Sequence, residues 1–366
     1  MLSADDKVLI SLHNMGYSKS KIQKLMAIFP KLSNLRSELD SKMGEVMVTL
    51  GESVANNLKL CLTDEYIEKT INNIINLGIN VVTCLDDEFP SKLRDIPDPP
   101  IVLYYKGELS IANSEHLIGV VGTRKPSSYG KDVCEKFVST LSRAGVVTIS
   151  GLAYGIDSIV ANKTLEASGK TIVVLGGGLT KIYPSINEQI AKEIVQNGGL
   201  LLSEYKPTDS PTQYTFPERN RIISGLSDGV LIIEAGEHSG SLITATCALE
   251  QGKELFVVPG NITSFQSKGS NRLIYEIPHC VVIEPENILE SLHIGANKND
   301  NLNVEKMTLQ LTIAQQLVYD LLKVEDMHFD DLAEKLNMKP RELNVLLTDM
   351  EMMGVIKSQS GNYYGV

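Results

Sequence analysis

Arg219 and Arg221 stand two residues apart in Phe216-Pro217-Glu218-Arg219-Asn220-Arg221, and Arg124 stands in Gly122-Thr123-Arg124-Lys125. A guanidinium presents forked donors that match phosphate oxygens, which the point charge of lysine does not. Pro217 and Glu218 mark the first turn of a helix, where a cation opposes the helix dipole, so something must favour the arginines there. Two readings stay open on the residues alone. A phosphodiester bridging Arg124, Arg219 and Arg221 is one, and ion pairs with acids such as Glu204, Glu218 or Glu234 are the other.

The glycines fall in a pattern that suits the same ligand. Apolar, β-branched runs recur at 117–122, 146–150, 171–176, 199–204, 229–235, 254–260 and 280–283. Five of them end in small-residue loops: Gly122 to Gly130, Ser150-Gly151 to Asp157, Gly176–Gly178, Gly236 to Ser241, and Pro259-Gly260-Asn261. Such loops let backbone N–H groups approach an anion at a helix N-terminus, or serve only as tight strand-to-helix turns. Neither GxGxxG nor GxxxxGK[ST] is present, so a dinucleotide fingerprint and a Walker loop are both excluded. Tyr129, Tyr154, Tyr183, Tyr205, Tyr214 and Phe216 gather beside these loops in a chain with 5% aromatics and no Trp. They could stack unpaired bases or pack the sheet edges.

Catalytic chemistry is hard to place. His238 neighbours Ser239 and Ser241, but no third group is identifiable to orient it. Asp157 reads as a cap or brace for the Ser150–Gly155 loop. The six histidines lack metal-ligand spacing, and no cofactor is expected.

The elements that must position these residues alternate strand and helix from 117 onward. Strands that read as continuous apolar runs are buried on both faces, the mark of a doubly wound, mainly parallel α/β sheet. Residues 1–78 read as short amphipathic helices, either a SAM-like or helix-hairpin-helix-like module or a cap without a ligand. The Rossmann-like domain is expected over 79–291. Its first part carries strand patterns (NVVTCL, IVLYYKG) around four prolines and reads as an entry linker docked on the sheet. A polar, Asn-rich linker is expected over 292–308 and a winged helix over 309–366, with its hairpin about Ser360–Gly361.

Composition limits the partners. Of 366 residues 43% are hydrophobic and 22% charged, with 34 basic and 45 acidic side chains for a formal charge of −11. That excludes a polybasic coat over the whole chain but not a local basic pocket. Residues 1–109 carry 12 basic and 15 acidic groups, 110–285 carry 15 and 17, and 286–366 carry 7 and 13, so acidity gathers at the C-terminal end. Five scattered cysteines without a CxxC pair, two acids in the first six residues and no long apolar run point to a cytoplasmic protein without a membrane span.

The motifs GVVGTRKPSSYG, SGLAYGID, VVLGGGL followed by IYP, LLSEY, FPERNRIISGLS, VLIIEA, SGSLITA and VVPGN resemble, in order and spacing, the DNA-processing protein A family (DprA, also called Smf). The resemblance spans roughly residues 95–285. It implies an extended Rossmann-like domain that binds single-stranded DNA and forms a homodimer. It also implies RecA as a partner, recruited onto strands taken up in natural transformation while single-strand-binding protein is displaced, and no catalytic activity. Carried over motif by motif, it makes Gly122, Thr123, Arg124, Lys125, Ser150, Gly151, Phe216, Arg219, Asn220, Arg221, Ser239, Gly240 and Ser241 the DNA-binding residues. Two positions depart from the family pattern: Ala161 replaces a usual histidine, and Ile277-Pro278 replaces Gly-Ala.

An alternative is a nucleotide-processing hydrolase that uses Gly176–Gly178 for phosphate and Glu234 as a base. Its loop after the sixth strand, PGNITSFQSKG, lacks the second glycine and following acid expected of such enzymes. The winged helix suits duplex DNA poorly, because PRELNVLLTDMEMMG sets Arg341 against Glu342, Asp349 and Glu351. A protein-contact or self-association role fits that helix better.

Overall fold

Polar caps start the helices of the first segment. Ser3 caps α1 (Ala4–Asn14) in a reciprocal box with Asp6, Ser18 caps α2 (Lys19–Ile28) and Thr63 caps α5 (Asp64–Asn76). Each side-chain oxygen takes an N–H that the helix start leaves unpaired. Between them run α3 (Leu35–Leu50) and α4 (Glu52–Cys61). The computed structural model describes residues 2–294, 312–323, 326–336, 338–352, 355–359 and 361–365. The chain divides into two units, Met1–Gly295 and Ala296–Val366.

The first unit is built on an eight-stranded sheet. Its strands are β1 (Asn80–Thr83), β2 (Val102–Gly107), β3 (Leu117–Val121), β4 (Val147–Ser150), β5 (Thr171–Val174), β6 (Leu200–Ser203), β7 (Gly229–Ile232) and β8 (Glu254–Val257), in the order β1-β2-β6-β5-β4-β3-β7-β8. From β6 through β8 all neighbours are parallel, whereas β2 pairs antiparallel with both β1 and β6. The connecting helices are α6 (Ser128–Arg143), α7 (Ile156–Glu166), α8 (Glu188–Gln196), α9 (Thr215–Leu226) and α10 (Ser241–Glu250), followed by α11 (Lys268–Glu276) and α12 (Pro285–Ser291). Helices cover both faces. Val173 packs in one core while Ile172 and Val174 pack in the other, and all three are fully buried. A doubly wound, mostly parallel Rossmann-like sheet is therefore present.

Two stretches differ from the sequence reading. The supposed entry linker supplies β1 and β2, whose pairing gives the outer side of β6 the partner it would otherwise lack. The last apolar run, 280–283, makes only a single bridge, Val257 to Val281.

The leading helices share a core with the sheet. Leu9, Leu12, Leu25 and Ile71 join Val102, Tyr104, Val173 and Leu201 in one cluster. Each fully buried leucine there contributes roughly 1.5–3 kcal/mol. A polar bond fixes the docking: the buried Asp6 carboxylate accepts from the Thr83 hydroxyl at 2.6 Å and the Ser3 amide at 2.8 Å. The departure Ala161 is buried in the same core, on α7.

The second unit comprises α13 (Ile313–Leu322), β9 (Met327–His328), α14 (Phe329–Lys335), α15 (Pro340–Met352), β10 (Lys357–Gln359) and β11 (Tyr363–Gly365), with sheet order β10-β11-β9. Val318, Leu322, Leu332, Leu343, Leu347 and Met350 form its core, and the hairpin turns at Gly361 and Asn362, both at positive φ. This is the winged helix. From residue 295 onward the linker expected over 292–308 lies outside the described residues. Among the described residues no helix is long and apolar enough to cross a membrane.

Candidate nucleic-acid interface

The chain turns back on itself between β3 and β7: β4, β5 and β6 extend the sheet on one side and β8 on the other. Loops leaving the carboxyl ends of β3 and β7 must therefore diverge, which opens a crevice at that point. A cleft of about 1000 Å³ lies there. Gly122, Thr123, Arg124 and Lys125 line it from the loop after β3, Phe216, Arg219 and Asn220 from the start of α9, and Ser239, Gly240 and Ser241 from the start of α10. Two helix N-termini thus face one space and favour an anion within it.

The three arginines have different environments. Arg124 is exposed, has no ion pair with a described residue, and lies with its guanidinium carbon 5.4 Å from the centre of the Phe216 ring. Arg219 is 4% exposed and donates to the carbonyls of Val174 and Gly151, at the ends of β5 and β4. Burial pushes its pKa down to about 10, against the pull of the Asp157 carboxylate. Burial likewise raises Asp157, against the pull of Arg219. These carbonyls and this acid are what favour a cation at the start of α9. Arg221 is absent from the cleft lining. It pairs with Glu204 and, through Nε at 2.9 Å, with Asp98, which also binds Lys19 of α2. Residues two apart on a helix point to nearly opposite sides, so Arg219 and Arg221 could not both face one ligand.

Ser150 and Gly151 also lie outside the lining. A Cβ on Gly151 would run into the Arg219 guanidinium, so this glycine makes room for an arginine. Gly155 has φ +79°, and a Cβ there would strike the backbone of Thr123 and Arg124. The cleft's loops are braced in the same way. Glu234 is buried and accepts from the Ser127 amide at 2.9 Å and hydroxyl at 2.7 Å. Asp157 accepts from the Ala153 amide at 3.3 Å.

The alternative phosphate site is covered. Side chains on Gly177 and Gly178 would collide with Pro211 and with the carbonyls of Lys206 and Pro207, and the Gly178 amide donates to Asp209 at 2.8 Å. Glu234, the base that alternative needs, is committed to Ser127.

Among the aromatic residues, Tyr183 and Phe216 line the cleft, their ring centres 5.8 Å apart and tilted by 47°. Tyr129 donates to the Pro259 carbonyl, and Tyr205 to Thr215 and Glu218, so both tie loops together. Sequence reasoning missed Pro211, Thr212 and Gln213, together with Phe265 and Gln266. The glycine loop after β8 pointed to the second group, because it leaves the same sheet edge. Among the described residues no three His, Cys, Asp or Glu side chains gather as metal ligands would.

Residues 80–293 match the profile of the family described as DNA recombination-mediator protein A. The chain belongs to that family. Residues 307–362 match the DprA winged helix domain. The chain is 39% identical over 285 residues to Protein Smf of Escherichia coli, covering 76% of this chain and 75% of that one. It is 44% identical over 199 residues to DNA processing protein DprA of Bacillus subtilis, covering 54% and 67%. DNA processing protein A of Streptococcus pneumoniae superposes with a TM-score of 0.59 at 30% identity, covering 79% of this chain and 98% of that one. The Helicobacter pylori family member, whose structure concerns its single-stranded DNA binding mode, superposes with a TM-score of 0.53 at 31% identity, covering 59% and 95%.

Proposed function

We propose that this chain binds single-stranded DNA in the switch-point cleft and acts as a recombination mediator. In this role it loads RecA onto strands entering by natural transformation and displaces single-strand-binding protein. The observation that carries the reading is Arg124, an exposed guanidinium held over Phe216 without an acidic partner among the described residues, in a cleft that the start of α10 also lines. A phosphate there meets a forked cation on one side and the donors of Ser239 to Ser241 on the other. Gly122, Thr123, Lys125 and Asn220 complete the contact set, while Arg219, Ser150 and Gly151 support it from below. The likeness to the Helicobacter pylori protein points to the same ligand.

Binding and handing over a strand needs no bond to break, and the braced positions of Glu234 and Asp157 suit a scaffold. The protein acts in the cytoplasm, where RecA filaments form, and works as a homodimer. Tyr275 and Ile283, 90% and 69% exposed beyond β8, offer apolar surface to a second copy, and light scattering measures the resulting mass.

The test is fluorescence anisotropy with a labelled oligothymidine. Arg124→Ala weakens binding at least about ten-fold, the scale of a lost charge-assisted contact. RecA assembly on strands coated with single-strand-binding protein then accelerates with the native chain and not with the variant. Native-like affinity in Arg124→Ala would sink the assignment.

A further inference from the structure

We propose that Tyr183 selects an unpaired base in this cleft, stacking it beside the phosphate that Arg124 holds, with Phe216 bracing both. This rests on reading the cleft as a single-strand site. Phe216 is the obvious aromatic in the motif, yet its ring is hemmed in. Arg124 lies over it at 5.4 Å, the Tyr183 ring meets it at 5.8 Å, and the Gly176 backbone is close enough that a Cβ there would touch the ring at 3.0 Å. The 47° tilt between the Tyr183 and Phe216 rings leaves no parallel slot into which a base could slide between them.

Tyr183 has the exposure that Phe216 lacks. It is 49% exposed and lines the cleft, and among the described residues its hydroxyl has no hydrogen-bond partner. Tyr129 and Tyr205, by contrast, spend their hydroxyls on Pro259, Thr215 and Glu218. Phe265 and the His238 imidazole are also exposed on the lining, but neither meets Phe216 in a described ring contact, and Phe265 has the Lys268 ammonium 6.0 Å from its centre. Tyr183 is therefore the ring that pairs an open face with direct contact to the Arg124–Phe216 stack. A base on that face lies beside the Phe216 ring over which Arg124 is held. Paired bases in a duplex have both faces already stacked, so such a platform favours a single strand whatever its sequence.

The experiment uses the full chain and two probes of equal length, an oligothymidine and an abasic sugar-phosphate strand. Tyr183→Ala weakens oligothymidine binding by at least about five-fold, the smallest loss expected for one stacked base, and leaves the abasic strand unaffected. Tyr183→Phe restores oligothymidine binding, because the ring and not the hydroxyl carries the contact. Arg124→Ala weakens both probes. A 2-aminopurine placed in the oligothymidine is quenched by the native chain and less so by Tyr183→Ala. Native-like oligothymidine affinity in Tyr183→Ala overturns the proposal, and so does an equal loss on both probes, which would make Tyr183 a structural residue. If the native chain binds neither probe, the single-strand reading of the cleft itself fails.

Discussion

At the scale of single residues, the three motif arginines have three different roles. Arg124 faces the cleft, Arg219 lies beneath it among strand-end carbonyls, and Arg221 closes a charge chain from α9 through Asp98 to Lys19. Substituting them should therefore give different phenotypes. Arg221→Ala leaves the half-buried Glu204 without its partner and costs at most about 3 kcal/mol of stability, the lower bound for a fully buried pair. It lowers the urea midpoint, while the folded variant keeps near-native oligothymidine affinity. Arg124→Ala does the reverse, with an unchanged midpoint and weakened binding. An Arg221 variant that folds normally and binds poorly would restore it to the contact set. The ordered motifs made many of the cleft-lining residues readable from sequence, because loops on one sheet edge converge. The surroundings of each arginine were not readable, because the groups that hold Arg219 and Arg221 (the carbonyls of Gly151 and Val174, and the acids Glu204 and Asp98) come from segments distant in sequence.

At the scale of elements, the cleft exists because β3 and β7 lie side by side while their connections run opposite ways. The parallel core of the sheet was legible as buried apolar runs. The antiparallel edge was legible only as two strand patterns separated by prolines, because it is the pairing of β1 with β2 and of β2 with β6 that makes them part of the sheet. On this edge the leading helices dock, and a histidine records that docking. His13 of α1 lies with Nδ1 3.1 Å from the Tyr104 hydroxyl of β2, and burial, helped by Lys206 and opposed by Asp209, pushes its pKa down to about 4. The folded pKa lies below the ordinary value of 6.5, so protonation favours the unfolded chain. Stability from this site is complete above pH 6.5 and falls as pH drops toward 4, by up to about 3 kcal/mol. His13→Gln flattens that slope in urea melts taken between pH 7 and pH 4.5. An unchanged slope would mean that His13 is already solvated.

At the scale of the whole molecule, a formal charge of −11 is compatible with a nucleic-acid ligand because the charge is unevenly divided. Residues 110–285 are nearly neutral, and two of their exposed cations, Arg124 and Lys125, line the cleft. Residues 286–366 carry 7 basic and 13 acidic groups, and α15 sets Arg341 against Glu342, Asp349 and Glu351. A strand drawn to the net field would avoid this protein, whereas a strand held at a few phosphates within a Debye length responds only to the local cations. The salt dependence of binding separates the two cases. For single strands the slope of log K against log salt is about −0.7 for each phosphate neutralised. A slope worth two or three phosphates is expected, and Arg124→Ala should make it shallower by about 0.7, one phosphate lost. A chain ending at residue 294 should keep the native slope, since the acidic winged helix adds no phosphate contact. If that truncation flattens the slope as much as losing Arg124 does, the winged helix holds DNA despite its charge, and the cleft is only part of the site.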